Sequence, residues 1–116
     1  MRNVLIAAAA LLAFAAPARA DSPLQVEMRR IVALEHIDAW CASGDHAIDY
    51  DRLRARIKAE KDKAVATGAS EQEARVAYSY AEWVFKVQNP SDALFCELAF
   101  RARKRDPGWR QIFPNQ

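Results

Sequence analysis

Residues 70–90 read SEQEARVAYSYAEWVFKVQNP, and this stretch decides the fold. Ser70 followed three residues later by Glu73 is a capping-box pattern, in which hydroxyl and carboxylate reciprocally satisfy the free N–H groups of a helix start. Asn89-Pro90 is a stop, because proline disfavours helical backbone in the residue before it. Between the two, Arg75, Ser79, Glu82 and Lys86 share a narrow polar strip at 100° per residue. Val76, Ala77, Tyr78, Tyr80, Ala81, Trp83, Val84, Phe85 and Val87 occupy most of the remaining circumference. That pattern predicts a helix more enclosed than an ordinary surface helix.

The same punctuation organises the chain on either side. Upstream, Gly68 is a left-handed stop for a helix that starts near Asp49 or Asp51 and runs to Thr67. Its apolar stripe is thin (Tyr50, Leu53, Ile57 and Ala64) and is crowded by Glu60 and Lys61, so it should be the most exposed helix. Further upstream, Ser22-Pro23-Leu24-Gln25 combines a capping hydroxyl, proline at the first helical position and a second capping box. Leu24, Met28, Ile31, Leu34, Ile37 and Cys41 then recur at spacings of three or four, and Ser43-Gly44 ends that helix. Downstream, Asn89 caps a fourth helix beginning at Pro90, with Asp92 in its first turn and Arg101, Arg103, Lys104 and Arg105 at its end. Asp106-Pro107-Gly108 breaks the chain again before a short turn over Trp109 to Phe113. The sequence carries no repeat, no low-complexity stretch and no strand-like alternation of useful length.

Four helices joined by short loops favour antiparallel neighbours. The prediction is an all-α, up-down four-helix bundle with one disulfide and a short C-terminal turn. Cys41 falls at the end of the first helix and Cys96 in the second turn of the fourth, and the up-down order places both at one end of the bundle. A bond between them closes a loop of 55 residues, worth roughly 4 kcal/mol in the chain-entropy account.

Residues 1–20 have the three parts of a secretory leader. Arg2 supplies the positive start, Val4 to Ala16 is an unbroken apolar run of 13 residues, and Ala18-Arg19-Ala20 offers a small-x-small cleavage pattern. A membrane span needs roughly 20 apolar residues, so the run is too short, and no second one follows. The expected domains are a signal peptide over 1–20, cleaved after Ala20, and one helical domain over 21–116, periplasmic or secreted. Losing Arg2 and Arg19 takes the 17 Lys and Arg to 15, against 15 Asp and Glu. The mature chain is therefore neutral overall, which removes the global electrostatic support for nucleic-acid binding. An even pair of cysteines in a short exported chain reads as a disulfide.

Chemistry-bearing motifs are scarce. His36 and His46 are the only histidines, and no His-Glu-x-x-His, Cys-x-x-Cys, Glu-x-x-His or haem-attachment spacing occurs. No metal or other cofactor is expected. Glu35, His36 and Asp38 read as a solvated helix face. Asp45, Asp49 and Asp51 lack EF-hand spacing, and capping accounts for the last two. Ser43-Gly44-Asp45-His46 holds the letters of a hydrolytic triad, but successive turn residues diverge too far to act together, so no catalytic residue is assigned. Asp38 lies in register with the apolar stripe of the first helix. It is a candidate buried acid, with Arg103 as its partner, unless the bundle's rim wets it. Arg52, Arg54, Arg56, Lys58, Lys61 and Lys63 interleave with acids on the second helix and read as a solvated face. Aromatic residues are many for the length, and Tyr78, Trp83, Phe85, Trp109 and Phe113 are the candidate interface.

Trp40-Cys41 at the end of a first helix, then a charged helix, Gly68-Ala69-Ser70-Glu71 and Phe95-Cys96-Glu97-Leu98, resembles small exported two-cysteine helical proteins of proteobacteria classed as domains of unknown function. The likeness spans roughly residues 31–100 and implies no activity. More distantly, Trp40-Cys41 and the single disulfide are similar to periplasmic acid-stress chaperones of the HdeA kind. The expectation is a non-enzymatic exported bundle acting through an unidentified protein partner, as adaptor, inhibitor or accessory subunit. A stress chaperone and a small-ligand-binding bundle or enzyme are the alternatives.

Overall fold

The computed structural model of the chain describes residues 22–114. They form five helices: α1 (Pro23–Trp40), α2 (Tyr50–Ala66), α3 (Glu71–Gln88), α4 (Asp92–Ala102) and α5 (Pro107–Ile112), with no strand among them. The proposed leader and its cleavage site lie outside the described residues. Every helix starts on a short polar side chain that occupies its free N–H groups. Ser22 and Ser70 accept from the N–H groups of Gln25 and Glu73, each at 3.1 Å, and both boxes close reciprocally. Asp49, Ser91 and Asp106 cap α2, α4 and α5. Gly68 ends the α2 segment with φ of 81°, a left-handed conformation that a Cβ would strain.

One boundary differs from expectation. Asn89 does not cap the fourth helix; it closes α3, its backbone N–H and its side-chain Nδ2 both donating to the Phe85 carbonyl at 2.9 Å. Ser91 caps α4 instead, accepting from the Leu94 N–H at 3.2 Å. A side chain spent on the last turn of one helix is not available to the first turn of the next.

The core is organised around α1, which packs against α2, α3 and α4, while α5 packs on α2 and α4. Met28, Ile31, Val32, Leu34 and Ile37 are buried along α1, together with Glu27 and His36. The third helix is less enclosed than its composition predicted. Only Ala77, Ala81 and Phe85 of α3 are buried, no more than the Leu53, Glu60 and Ala64 that α2 buries. Helix α1 can cover one face of α3, and a second apolar face is left over. The relative directions follow from cross-contacts: Tyr78 reaches Glu35, and seven residues on Phe85 reaches His36 and Trp40, so α3 runs parallel to α1.

Helix α4 begins at the end where α1 finishes, and there Cys41 and Cys96 form the expected disulfide, with Cα atoms 5.6 Å apart. Phe95 beside it meets both Trp40 and Phe85 edge-on, at 5.9 and 4.8 Å between ring centroids. Edge-to-face pairs of this kind add to simple area burial.

The spacing of Trp109, Ile112 and Phe113 predicts that the C-terminal segment folds back on the aromatic margin of α3 with Trp109 as its anchor; it does fold back, but with other contacts and another anchor. It lies on α2 and α4 rather than on α3. Ile112 and Phe113 are each 1% exposed, whereas Trp109 is only half-buried. Phe113 meets Phe100 edge-on, and the Ile112 carbonyl accepts the Asp49 N–H at 2.9 Å, tying the tail to the start of α2. Phe113→Ala should therefore cost about 3–5 kcal/mol, the usual range for deleting a buried aromatic. Trp109→Ala should cost clearly less. Thermal melts of the two variants, with the disulfide intact, check the order.

Candidate functional site

Val76, Tyr80, Val87 and Trp83 are 59%, 50%, 61% and 63% exposed. Their spacings of four, three and four place them in one row along α3, because 3.6 residues make a turn. Tyr80 and Trp83 touch within that row, ring centroids 6.2 Å apart. The buried row of Ala77, Ala81 and Phe85 occupies a different side of the helix, so α3 carries two apolar rows and α1 covers one. At its N-terminal end the outer row enters an open depression of about 900 Å³, shared with Leu24, Ala69 and Gln72. A seam of alternating three- and four-residue spacing is the surface that a second helix packs against. Leu94 and Leu98 of α4 and Val65 of α2 are further exposed apolar side chains.

The expected interface residues divide differently. Trp83 belongs to the exposed row. Phe85 and Phe113 are buried and serve the core, so they are not available to a partner. Tyr78 is half-buried and Trp109 likewise. Val76, Tyr80 and Val87 are legible in the sequence only as part of the apolar circumference of an enclosed helix. Their four-three-four spacing with Trp83 was the signal, and it is the same in a helix with a covered or an uncovered row.

A second groove, about 540 Å³, lies between α2 and α3 over α1, lined by Met28, Ile31, Ala64, Val65, Ala74 and Tyr78. Three of its polar side chains, Glu35, Lys61 and Tyr78, are committed to one another. The Tyr78 hydroxyl donates to Glu35 Oε1 at 2.5 Å, and Lys61 Nζ lies 3.3 Å from Glu35 Oε2. Burial, with the Glu35 hydrogen bond and charge added, pushes the Tyr78 phenol far above its ordinary value, so it stays protonated and donates. The arrangement staples α3 and α2 to α1.

The remaining predicted sites resolve into structural roles. Asp38 is exposed, not a buried acid, because α1 ends two residues later and nothing covers that side. Arg103, its proposed partner, holds its guanidinium over the Phe100 ring at 4.4 Å. His36 is buried rather than on a solvated face: its Nδ1 donates to the Val32 carbonyl at 2.8 Å and its ring packs between Trp40 and Phe85. His46 stacks flat on Phe100 at 3.5 Å, with Nε2 3.0 Å from Glu97 Oε1, which fastens the α1–α2 loop to α4. That His46 contact, with help from Arg101, lowers the Glu97 carboxyl below its usual value despite some opposing desolvation. The six cations of α2 all have acidic partners: Arg52 with Asp49, Arg54 with Asp51, Arg56 and Lys63 with Glu60, Lys58 with Asp62, and Lys61 with Glu35. Among the described residues no three His, Cys, Asp or Glu side chains group as a metal site, and no helix is long and apolar enough to cross a membrane.

Comparison with protein-family models, with curated proteins and with solved structures finds no match to this chain.

The two rows of α3 separate cleanly by mutation. Phe85→Ala should destabilise by about 3–5 kcal/mol. Trp83→Ala, on the uncovered row, should stay within about 0.5 kcal/mol of wild type, as surface substitutions usually do. Denaturant unfolding of both variants measures the difference.

Proposed function

We propose that this chain is an exported, non-enzymatic helical protein that acts through protein contacts, docking a helical segment of its partner on the outer face of α3. The observation that carries the reading is the uncovered row Val76–Tyr80–Trp83–Val87. Two of its four members are aromatic, and aromatic side chains supply much of the energy of protein interfaces. Export rests on the leader pattern of residues 1–20, and the Cys41–Cys96 bond is consistent with an oxidising compartment. Adaptor, inhibitor and accessory subunit are the roles compatible with a rigid, stapled scaffold presenting one helical face.

A stress chaperone is the second reading, and the same observation favours it, since an apolar row already exposed in the folded state can hold unfolded chains without prior opening. The two readings differ in the number of partners. A photo-crosslinking residue in place of Tyr80, introduced in the cell of origin, should give one dominant adduct if the face docks a dedicated partner. Many adducts that increase under stress would indicate a chaperone. Trp83→Asp should abolish either pattern without changing the melting temperature by more than a few degrees. No adduct at Tyr80 or Val76 would overturn docking on this face. Intact mass spectrometry of the exported protein should give a chain beginning at Asp21.

A further inference from the structure

We propose that Glu27 and Glu60 hold one proton between them and form a latch that fastens α2, and through it α5, to α1 in mild acid and loosens as the pH rises. This inference is independent of the docking face. Glu27 of α1 is 8% exposed and Glu60 of α2 is 1% exposed, so two carboxyls from different helices are withdrawn from water together. Each has one oxygen satisfied by a cation: Glu27 Oε1 by Arg30 Nη1 at 2.9 Å, and Glu60 Oε2 by Arg56 Nε at 2.7 Å. The other two oxygens, Glu27 Oε2 and Glu60 Oε1, are buried and have no hydrogen-bond partner among the described residues. The Lys63 ammonium, 3.6 Å from Glu60 Oε1, is beyond hydrogen-bond distance. The two carboxyls are neighbours, each acting on the ionisation of the other. A single proton held between them would give both stranded oxygens a partner, whereas two ionised carboxylates in that position would repel without water to screen them.

The surroundings decide which one keeps the proton. The charged groups facing the pair are Arg30 from α1 and Arg56 and Lys63 from α2. The hydrogen bond to Glu60, burial and the Glu60 charge together raise Glu27 above the ordinary 4.5, outweighing Arg30 and Lys63. Burial alone would raise Glu60 as well. Hydrogen bonds with Glu27 and Arg56, and the charges of Lys63 and Arg56, more than reverse this and hold it at about 2. Glu27 is therefore the acid and Glu60 the carboxylate. The stabilisation from Glu27 is complete below pH 4.5 and is lost as pH climbs through its raised value. That from Glu60 is complete above pH 4.5 and is lost as pH falls towards about 2. The two overlap most in mild acid.

The latch reaches the C-terminal helix through Arg56. Its guanidinium lies against Gly108, where a Cβ would collide with it, and Asp106 Oδ1 is 3.2 Å from the same point. Arg56 thus lies between Glu60 and the start of α5. Loss of the Glu27 proton thus strains the α1–α2 seam directly and the α5 contact at one remove.

Glu27→Gln supplies an amide N–H that donates to Glu60 at every pH, and so separates the latch from all other titrations. Thermal melts of the disulfide-bonded protein at pH 5 and pH 8 should show wild type falling by several degrees more than E27Q. Amide exchange across Leu53 to Ala64, corrected for its intrinsic pH dependence, should quicken several-fold in wild type over that interval and stay constant in E27Q. Parallel profiles of the two proteins would overturn the proposal. Should E27Q fail to fold, carboxyl-carbon NMR of the wild-type protein decides: Glu27 titrating above 4.5 with Glu60 below it supports the latch, and two ordinary titrations refute it.

Discussion

The architecture depends on one constraint, which is that α1 has more apolar surface than any single neighbour can cover. Its buried positions extend well round the helix, from Met28 and Ile31 through Val32 to Leu34 and Ile37. A helix of that kind must lie inside the fold, and the other elements are the layers that keep water from it. Helix α2 contributes Leu53 and Ala64, α3 contributes Ala77, Ala81 and Phe85, and α4 contributes Phe95 and Ala99. Polar staples fix the layers where the apolar contacts are thin: Tyr78 and Lys61 on Glu35, Glu27 with Glu60, and His46 with Glu97. The Cys41–Cys96 bond then fixes α4 at the end where α1, α3 and α4 bring Trp40, Phe85 and Phe95 together.

The uncovered row on α3 follows from the same constraint. Because α1 presents one side to α3, an α3 with two apolar rows retains one of them in water. Natural chains seldom leave such a row exposed along a helix unless something binds it. The other exposed faces of the molecule differ in kind. Helix α2 is strongly charged, and each of its cations lies beside a carboxylate, one of them Glu35 of α1. The groove over Met28 and Ile31 is closed at its polar end by groups that satisfy one another. The distribution favours recognition of an apolar helical surface over recognition of an anion or a small polar molecule.

The buried carboxyl pair also bears on how the molecule would respond to its surroundings. A seam that is tightest in mild acid keeps the scaffold closed there, opposite to a protein that works by unfolding in acid. The chaperone reading therefore depends on the face that α3 already exposes and not on acid opening.

Much of this was legible in local sequence, and for local reasons. Both capping boxes, at Ser22–Gln25 and Ser70–Glu73, the Gly68 stop, the helix count and the cysteine pairing depend on residues a few positions apart or on the order of the elements. What the sequence left open concerned the far side of each helix. Glu60 read as a charge crowding a thin stripe, yet it is buried because Glu27 and Arg56 meet it there. Asp38 read as a candidate buried acid, yet no neighbour covers it. His36 read as solvated, yet Phe85 lies against its ring. Trp83 and Phe85, two residues apart, are alike in hydrophobicity and opposite in fate. Periodicity defines which residues share a side of a helix. It does not say which side another helix will occupy, and that choice, made by the packing of α1 against its neighbours, is what separates core from surface and a buried acid from a solvated one.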